Sequence, residues 1–573
     1  MTAQPVPAGD ARSDAPEAPL THRQIVTIFT GLMLGMFLAA LDQTIVATAI
    51  RTIADDLNGL SQQAWATTAY LITSTIVTPL YGKLSDIYGR KKFFLAAITI
   101  FIIGSALCSF ADSMLQLAAY RAVQGLGAGG LFSLALAIIG DVVEPRERAK
   151  YQGYFLAVFG TSSVLGPVIG GFFAGQSSIF GLTGWRWVFL VNVPIGLVAL
   201  VVVARTLHLR HRRLDHRIDW WGAVALSVAL VPLLLVAEQG RDWGWTSGRS
   251  IAAYVVGGLG TLAFIQIERA MGDEALLPFR LFRNRTIRIS SFISVVLGMG
   301  LFGGLAALPL YLQIVKGASP TEAGLQLLPL TLGIMAGSVV SGQVISRTGR
   351  YTPFMRVGGG LLVAGLYLLH LVEFDTAMWK VMLACVVFGL GMGFMMQPLM
   401  LAVQNAADRA DMGVATSTAT FTRQIGGTLG TAVFLSILFS SAPTKIADSF
   451  RAIAPTPEYR SLLTDPTVLA DPHNAAFVKQ LAAAQASGSG GSLTGGVMSD
   501  SSFLSLLDPR LAKPFLVGFS QAIDLVFLCG AAVMLVGWAI VWLVPNLELR
   551  GGRARNPDEA EGVADAEAGV GLH

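Results

Sequence analysis

Gly82-Lys83-Leu84-Ser85-Asp86-Ile87-Tyr88-Gly89-Arg90, with Lys91 and Lys92 following, stands between two apolar stretches and decides the fold. A looser copy returns as Gly342-Gln343-Val344-Ile345-Ser346-Arg347-Thr348-Gly349-Arg350. Each copy follows the second apolar segment of a block of six. The same polar hinge at the same place in two blocks is the mark of a duplicated helical bundle.

The composition agrees. Hydrophobic residues make up 53% of the 573 residues and charged residues 13%, against roughly 25% charge in soluble domains. An apolar stretch of about 20 residues crosses a bilayer as a helix. Fourteen are readable, near 25–50, 63–81, 93–111, 115–140, 152–174, 187–205, 219–237, 251–268, 287–311, 323–345, 355–372, 379–401, 413–440 and 515–544. The expected fold class is an all-α integral membrane protein. Its expected parts are a disordered N-tail (1–23), a six-helix bundle (24–205), two inserted helices with linkers (206–286), a second six-helix bundle (287–550) and an acidic disordered tail (551–573).

Basic residues orient the spans. The loops after spans 2, 4, 6, 8 and 10 carry most of the Lys and Arg, so both termini are expected in the cytoplasm; an even span count requires them to share a side. Topology accounts for the net charge of +4. Anionic lipid headgroups are natural partners for these loops, and no nucleic acid is called for. The first stretch is too long for a signal segment and contains Asp42, so it is expected to stay in the mature chain. Cys108, Cys385 and Cys529 all fall inside spans, leaving no disulfide framework and no metal-ligand spacing. No cofactor is expected. Residues 441–514 form a long extracytoplasmic loop. It contains short helical stretches around Pro457–Leu469 and Ala475–Ala486 and a flexible run from Ser487 to Ser492. It reads as a mobile loop, or alternatively as a lid or a docking element for an extracytoplasmic partner.

Four ionisable residues within spans carry the chemistry. Asp42 sits in Leu41-Asp42-Gln43-Thr44-Ile45-Val46 of span 1. A carboxylate in the bilayer is costly and faces a cavity or a partner. Arg121 opens Arg121-Ala122-Val123-Gln124-Gly125 in span 4 and, being permanently charged, needs an anionic or polar neighbour. At about 1.5 Å rise per residue, Asp42, Arg121 and Asp524 all lie about 9–15 Å below the outer ends of their spans. Arg423 in span 13 is near mid-depth. The expectation is one titratable network of Asp42, Arg121, Arg423 and Asp524.

The remaining candidates concern movement and cargo. Gly166, Pro167 and Gly170 in span 5 combine close helix contact with a proline that favours a kink. In the first loop Gly82 and Gly89 permit close approach and turning. Asp86 is placed to pair with Arg90 or to meet a helix N-terminus of the other bundle. Ser346 replaces that aspartate in the second copy, so its charge lock should be weaker. Tyr70, Gln124, Tyr154, Phe155, Phe159, Asn192, Met395 and Met396 are candidate cargo contacts, the methionines because they adapt to varied surfaces.

Taken together, the 82–92 loop, the Arg121–Gly130 stretch, the Gly160–Gly171 stretch and the Leu41–Ile50 stretch resemble the major facilitator superfamily. With fourteen spans, the chain looks like its drug:proton antiporters. The resemblance implies proton coupling at Asp42 and Arg121, antiport at Gly166, Pro167 and Gly170, and gating at Gly82, Asp86, Gly89 and Arg90. Ala47 and Arg51 depart from that pattern, where relatives often carry Asn and Pro. The expected function is export of hydrophobic, often cationic, drugs through the bacterial cytoplasmic membrane by alternating access. The alternatives are export of lipids or an endogenous metabolite, and a nontransporting sensor. No H-E-x-x-H, G-x-S-x-G or phosphate-binding loop supports an enzyme or an ATP-driven pump.

Overall fold

The computed structural model describes residues 22–57, 63–143, 145–207, 219–318, 320–408, 411–486, 504 and 506–546. Both expected tails, apart from residues 22 and 23, and the Ser487–Ser492 run lie outside the described residues.

The first half contains α1 (His22–Asp56), α2 (Gln63–Tyr88), α3 (Arg90–Cys108), α4 (Met114–Val142), α5 (Pro145–Ala174), the short α6 (Arg186–Leu190) and α7 (Asn192–Thr206). A two-stranded hairpin, β1 (Ser178–Ile179) and β2 (Leu182–Thr183), precedes α6. Then come α8 (Trp220–Trp243) and α9 (Gly248–Met271). The second half contains α10 (Arg285–Leu310), α11 (Pro320–Gln326), α12 (Leu328–Thr348), α13 (Thr352–His370), α14 (Met378–Ala406) and α15 (Met412–Ile453). It ends with the short α16 (Pro457–Leu462) and α17 (Pro466–Leu469), then α18 (Pro472–Ala486) and α19 (Pro509–Val541).

Every one of the fourteen apolar stretches is helical. By length and composition alone, ten helical segments among the described residues are able to cross a membrane. The stretches in α2, α5, α8 and α10 are not among those ten. In α5 and α8 the apolar run within the described residues covers Val158–Ala174 and Trp220–Val236. In α2 it is interrupted by polar residues, among them the buried Ser74, Thr75 and Thr78. A helix facing other helices and a cavity tolerates polar side chains that one facing lipid does not.

Two bundles result, each with its own apolar core. One is built on Phe94, Phe101, Leu131 and Leu134, the other on Phe388, Phe515, Phe519 and Phe527. The inserted α8 and α9 pack on each other, and α8 also touches α2 and α15. The bundles meet along α5 with α12 and α2 with α15. Val403, Val414, Ala415 and Ala419 of the second bundle are buried in the core of the first.

One boundary differs from the sequence reading. The helix expected to end near 440 continues through Pro443 to Ile453. The reason is a second apolar contact beyond the span. Gly518 of α19 lies so close to Ile446 that an added Cβ would meet its Cα at 2.5 Å. The Phe450 and Phe515 rings pack edge to face at 4.8 Å. The described part of the 441–514 segment is therefore packed helix rather than mobile loop. Tyr459 Oη donates to Leu511 O (3.2 Å), and Asn474 Oδ1 accepts from the Asp508 N–H (2.9 Å), tying this pad to the start of α19.

Candidate functional site

Asp42 is fully buried, and three donors converge on it. Arg121 Nη1 reaches Oδ2 at 2.5 Å. Gln124 Nε2 and Asn192 Nδ2 donate to Oδ1 at 2.9 and 2.8 Å. Arg121 and Gln124 sit one helical turn apart on α4, which is why both reach the same carboxylate. Arg121 Nη1 also donates to Gln124 Oε1 (2.7 Å), and Nε donates to Ala66 O (3.3 Å). Its Cζ lies 4.1 Å above the centroid of the Tyr70 ring, a cation–π contact. Asn192 donates further to Ser105 Oγ (3.0 Å), which donates to Phe189 O (2.9 Å). The buried charges are thus paired and hydrogen-bonded, the condition under which an ion pair survives inside an apolar bundle.

The site borders a central cavity of about 330 Å³ between the bundles. Gln43 and Thr44, the two residues after Asp42, line it. Gln43 Nε2 donates to Tyr70 Oη at 3.4 Å, so a chain of contacts runs from the cavity wall through Tyr70 to Arg121. Thr44 Oγ1 donates to Ser162 O of α5 at 3.0 Å. Here Gly166 allows α5 to press against α1, since a Cβ would come within 3.1 Å of the Thr44 backbone carbon. Gly170 lies similarly against Ile45 O. Pro167 is taken up inside α5 and packs on Gly324 of α11, across the bundle boundary.

The structure divides the expected four-residue network. Asp42 and Arg121 are together. Arg423 instead lines the cavity from α15. Asp524 lies in the second bundle, where His370 Nδ1 approaches its backbone O at 3.0 Å. Similar depth did not bring them together, because they project from helices at different positions around the molecule. The expected cargo contacts divide likewise. Phe159 and Met396 line the cavity, and Phe159 stacks on Phe132 with centroids 5.3 Å apart. Tyr70, Gln124 and Asn192 belong to the Asp42 cluster behind the wall. Met395 is buried in the second core. Tyr154 faces outward, 45% exposed, because it lies on the face of α5 turned away from the cavity. The Phe155 side chain lies outside the described residues.

The Asp86 loop joins the bundles. Asp86 pairs with Arg90 and also accepts the Val414 N–H (3.1 Å) in the first turn of α15. Both expected partners are used at once, and the α15 N-terminus favours the negative charge. Arg90 Nε donates to Asp141 Oδ2 (2.7 Å) and Nη1 to Ser85 Oγ (2.5 Å). Gly89 supplies a φ of 102° at the start of α3, a conformation side chains disfavour. Gly82 faces Ser417 and Gly413 of α15 without room for a side chain. In the second copy Ser346 Oγ donates to Gln343 O of its own helix (2.8 Å). Asp141 and Val414 were not singled out in the sequence. The signal for Asp141 was an acidic residue at the end of the span that contains Arg121.

Asp86 lies beyond the apolar part of α2. Burial pushes its carboxyl up to about 6 despite the lowering by Arg90 and the Val414 N–H; Asp141 adds to the rise. The lock requires the ionised form, so it is present above that pH and weakens as pH falls through about 6. Spin labels across the α2–α15 seam should report a population of separated ends that grows between pH 7 and 5. Asp86→Asn should show the separated population throughout and remove the pH dependence. A seam unchanged by both would refute the lock.

The comparisons agree with this architecture. The profile of the Major Facilitator Superfamily matches residues 32–431. Multidrug resistance protein 3 of Bacillus subtilis is 37% identical over 436 residues, covering 75% of this chain and 83% of that protein. Multidrug transporter protein MdtP of the same organism is 35% identical over 422 residues, covering 74% and 76%. Among solved structures, the proton:xylose symporter XylE superposes with a TM-score of 0.57 at 15% identity, over 92% of this chain and 98% of that one. With two helical bundles, a shared hinge motif and this match, the chain belongs to the major facilitator superfamily.

Proposed function

We propose that the chain is a proton-coupled antiporter that exports hydrophobic compounds by alternating access across the bacterial cytoplasmic membrane. Its fourteen helices span the bilayer with both termini in the cytoplasm. The observation that carries the reading is the buried Asp42–Arg121 pair, placed one residue from the cavity wall. The names of the two Bacillus relatives support drug export as the physiological setting.

The carboxylate of Asp42 accepts hydrogen bonds from three side chains, all of them donors. A protonated carboxyl must donate one bond itself. Protonation therefore cannot be absorbed in place; Arg121, Gln124 or Asn192 has to turn away. Gln43 and Thr44 then transmit the change to the cavity, to Tyr70 and to the α1–α5 contact at Gly166. Asp86 and its partners hold the cytoplasmic ends together in this conformation. Release of that lock, with Pro167 and Gly324 as the opposing contact, would expose the cavity to the other side. Each proton moved down 100 mV supplies about 2.3 kcal/mol.

Permanent cations, the cargo charge expected from the sequence, are not favoured by the lining, whose one formal charge among the described residues is Arg423. The reading is tested in proteoliposomes with a trapped pH dye. Adding a hydrophobic substrate should drive protons in the opposite direction, and a protonophore should collapse the signal. Substrate movement with no proton movement would refute antiport; no movement of any compound would refute export.

A further inference from the structure

We infer that Arg423 is the head-group site of the central cavity and that the cargo it takes is an amphipathic organic anion, a carboxylate or similar acid on a hydrophobic body. The inference rests on the exporter reading above and names its substrate class.

Three observations lead to it. First, Arg423 is the single formal charge among the described residues lining the cavity. The other polar positions, such as Gln43, Ser74, Thr75, Gln397 and Thr428, are neutral. Second, its guanidinium has no hydrogen bond, ion pair or ring contact among the described residues. The two deeply buried arginines, by contrast, are fully engaged: Arg90 by Asp86, Asp141 and Ser85, Arg121 by Asp42, Gln124 and Ala66 O. The neighbouring Gln424 is also occupied, its Oε1 accepting from Thr78 Oγ1 at 3.1 Å. Third, the position of Arg423 is held by backbone contact. A Cβ on Gly298 of α10 would meet the Arg423 carbonyl and, at 2.8 Å, the Gly427 N. One on Gly430 would meet the Met299 backbone at 2.5 Å. That face of α15 is pinned to α10, and the adjoining face, with Thr420, Arg423, Gln424 and Thr428, lines the cavity.

A guanidinium in a partly apolar chamber gains most from a partner that is planar, negative and able to accept two parallel hydrogen bonds. The low dielectric strengthens that attraction and equally repels a cation. Met36, Leu301, Ile334 and Met396 offer apolar wall for the body of such a molecule. Discrimination then comes from both attraction and repulsion.

The test uses three pyrene probes of one shape: pyrenebutyrate, its neutral amide, and a pyrenylbutyl-trimethylammonium cation. Equilibrium binding is read by fluorescence with purified full-length protein at pH 7.5, where a carboxylic acid of ordinary pKa is ionised. Wild type should bind the anion about tenfold more tightly than the amide, the scale of a charge-assisted hydrogen-bonded pair, and should bind the cation more weakly than either. Arg423→Gln should lose the preference while still binding the amide, which shows that the cavity is intact. Arg423→Lys should keep part of it. Arg423→Glu should favour the cation. Equal binding of the three probes by wild type, a preference for the cation, no binding of any probe, or an anion preference that survives Arg423→Gln would each overturn the inference. Proteoliposomes separate the two readings. Binding preference without gradient-driven movement removes export and leaves the anion site. Movement without charge preference leaves export and removes the anion site.

Discussion

Asp42→Asn is expected to lower gradient-driven transport by at least about 100-fold, the scale of losing an essential proton-transfer group, while substrate binding persists. Asparagine has nearly the same shape and keeps one acceptor oxygen, so the bundle and its cavity should still form. It cannot cycle a proton, and it leaves the buried Arg121 charge without its counter-ion. Breaking a buried pair by removing one partner costs about 3–5 kcal/mol; the retained amide oxygen and the cation–π contact with Tyr70 place this case near the lower end. Thermal unfolding of the purified variant in detergent should therefore fall below wild type. The double variant Asp42→Asn/Arg121→Gln should recover much of the stability, since no unpaired charge remains, yet stay inactive in proteoliposomes. Transport by either variant at wild-type rates would remove Asp42 from the coupling step. A double variant no more stable than the single one would mean that the pair is not what holds α1 to α4.

Gly104→Val is expected to be severely damaging to the first bundle. Gly104 of α3 faces the backbone of α4 at Gln124; a Cβ there would meet Gln124 Cα at 2.5 Å and N at 2.6 Å. Backbone cannot rotate aside as a side chain does, so the helices must separate. Overpacking of this kind costs about 3 kcal/mol, and it displaces the segment that carries both Arg121 and Gln124. The expected result is little monodisperse protein, with the surviving fraction unable to couple. Gly258→Val is the control. Gly258 lies on α9 with nothing within 4 Å of an added Cβ, so the same chemical change should alter yield and melting little. If the two variants behave alike, the α3–α4 contact is looser than the geometry requires.

Much of this arrangement was readable from residue types. A carboxylate and an arginine within apolar stretches had to find partners, and Asp42 and Arg121 found each other. The hinge motif predicted both a partner at Arg90 and a helix N-terminus opposite, and Asp86 uses both. The second hinge lacks that carboxylate, and Ser346 turns back on its own helix. The pad after α15 was legible as short helices but not as a packed unit, because Phe450, Phe477 and Phe515 meet only once α18 and α19 are docked.

The division of the charged residues was not readable. Hydropathy and helical rise place a residue along the membrane normal, and on that axis Asp42, Arg121 and Asp524 were alike. Which way each helix turns around its own axis is set by tight packing such as Gly104 on Gln124 and Gly298 on Arg423, between residues far apart in the chain. A helix apolar on every side has no periodic face to reveal its orientation. The sequence by itself determined that the apolar segments are helical, the two-bundle plan, the hinge and the need for partners at Asp42 and Arg121. Only the tertiary structure decided which partner each charge received, and that Arg423 received none among the described residues, because packing and not hydropathy sets the rotation of helices buried on all sides.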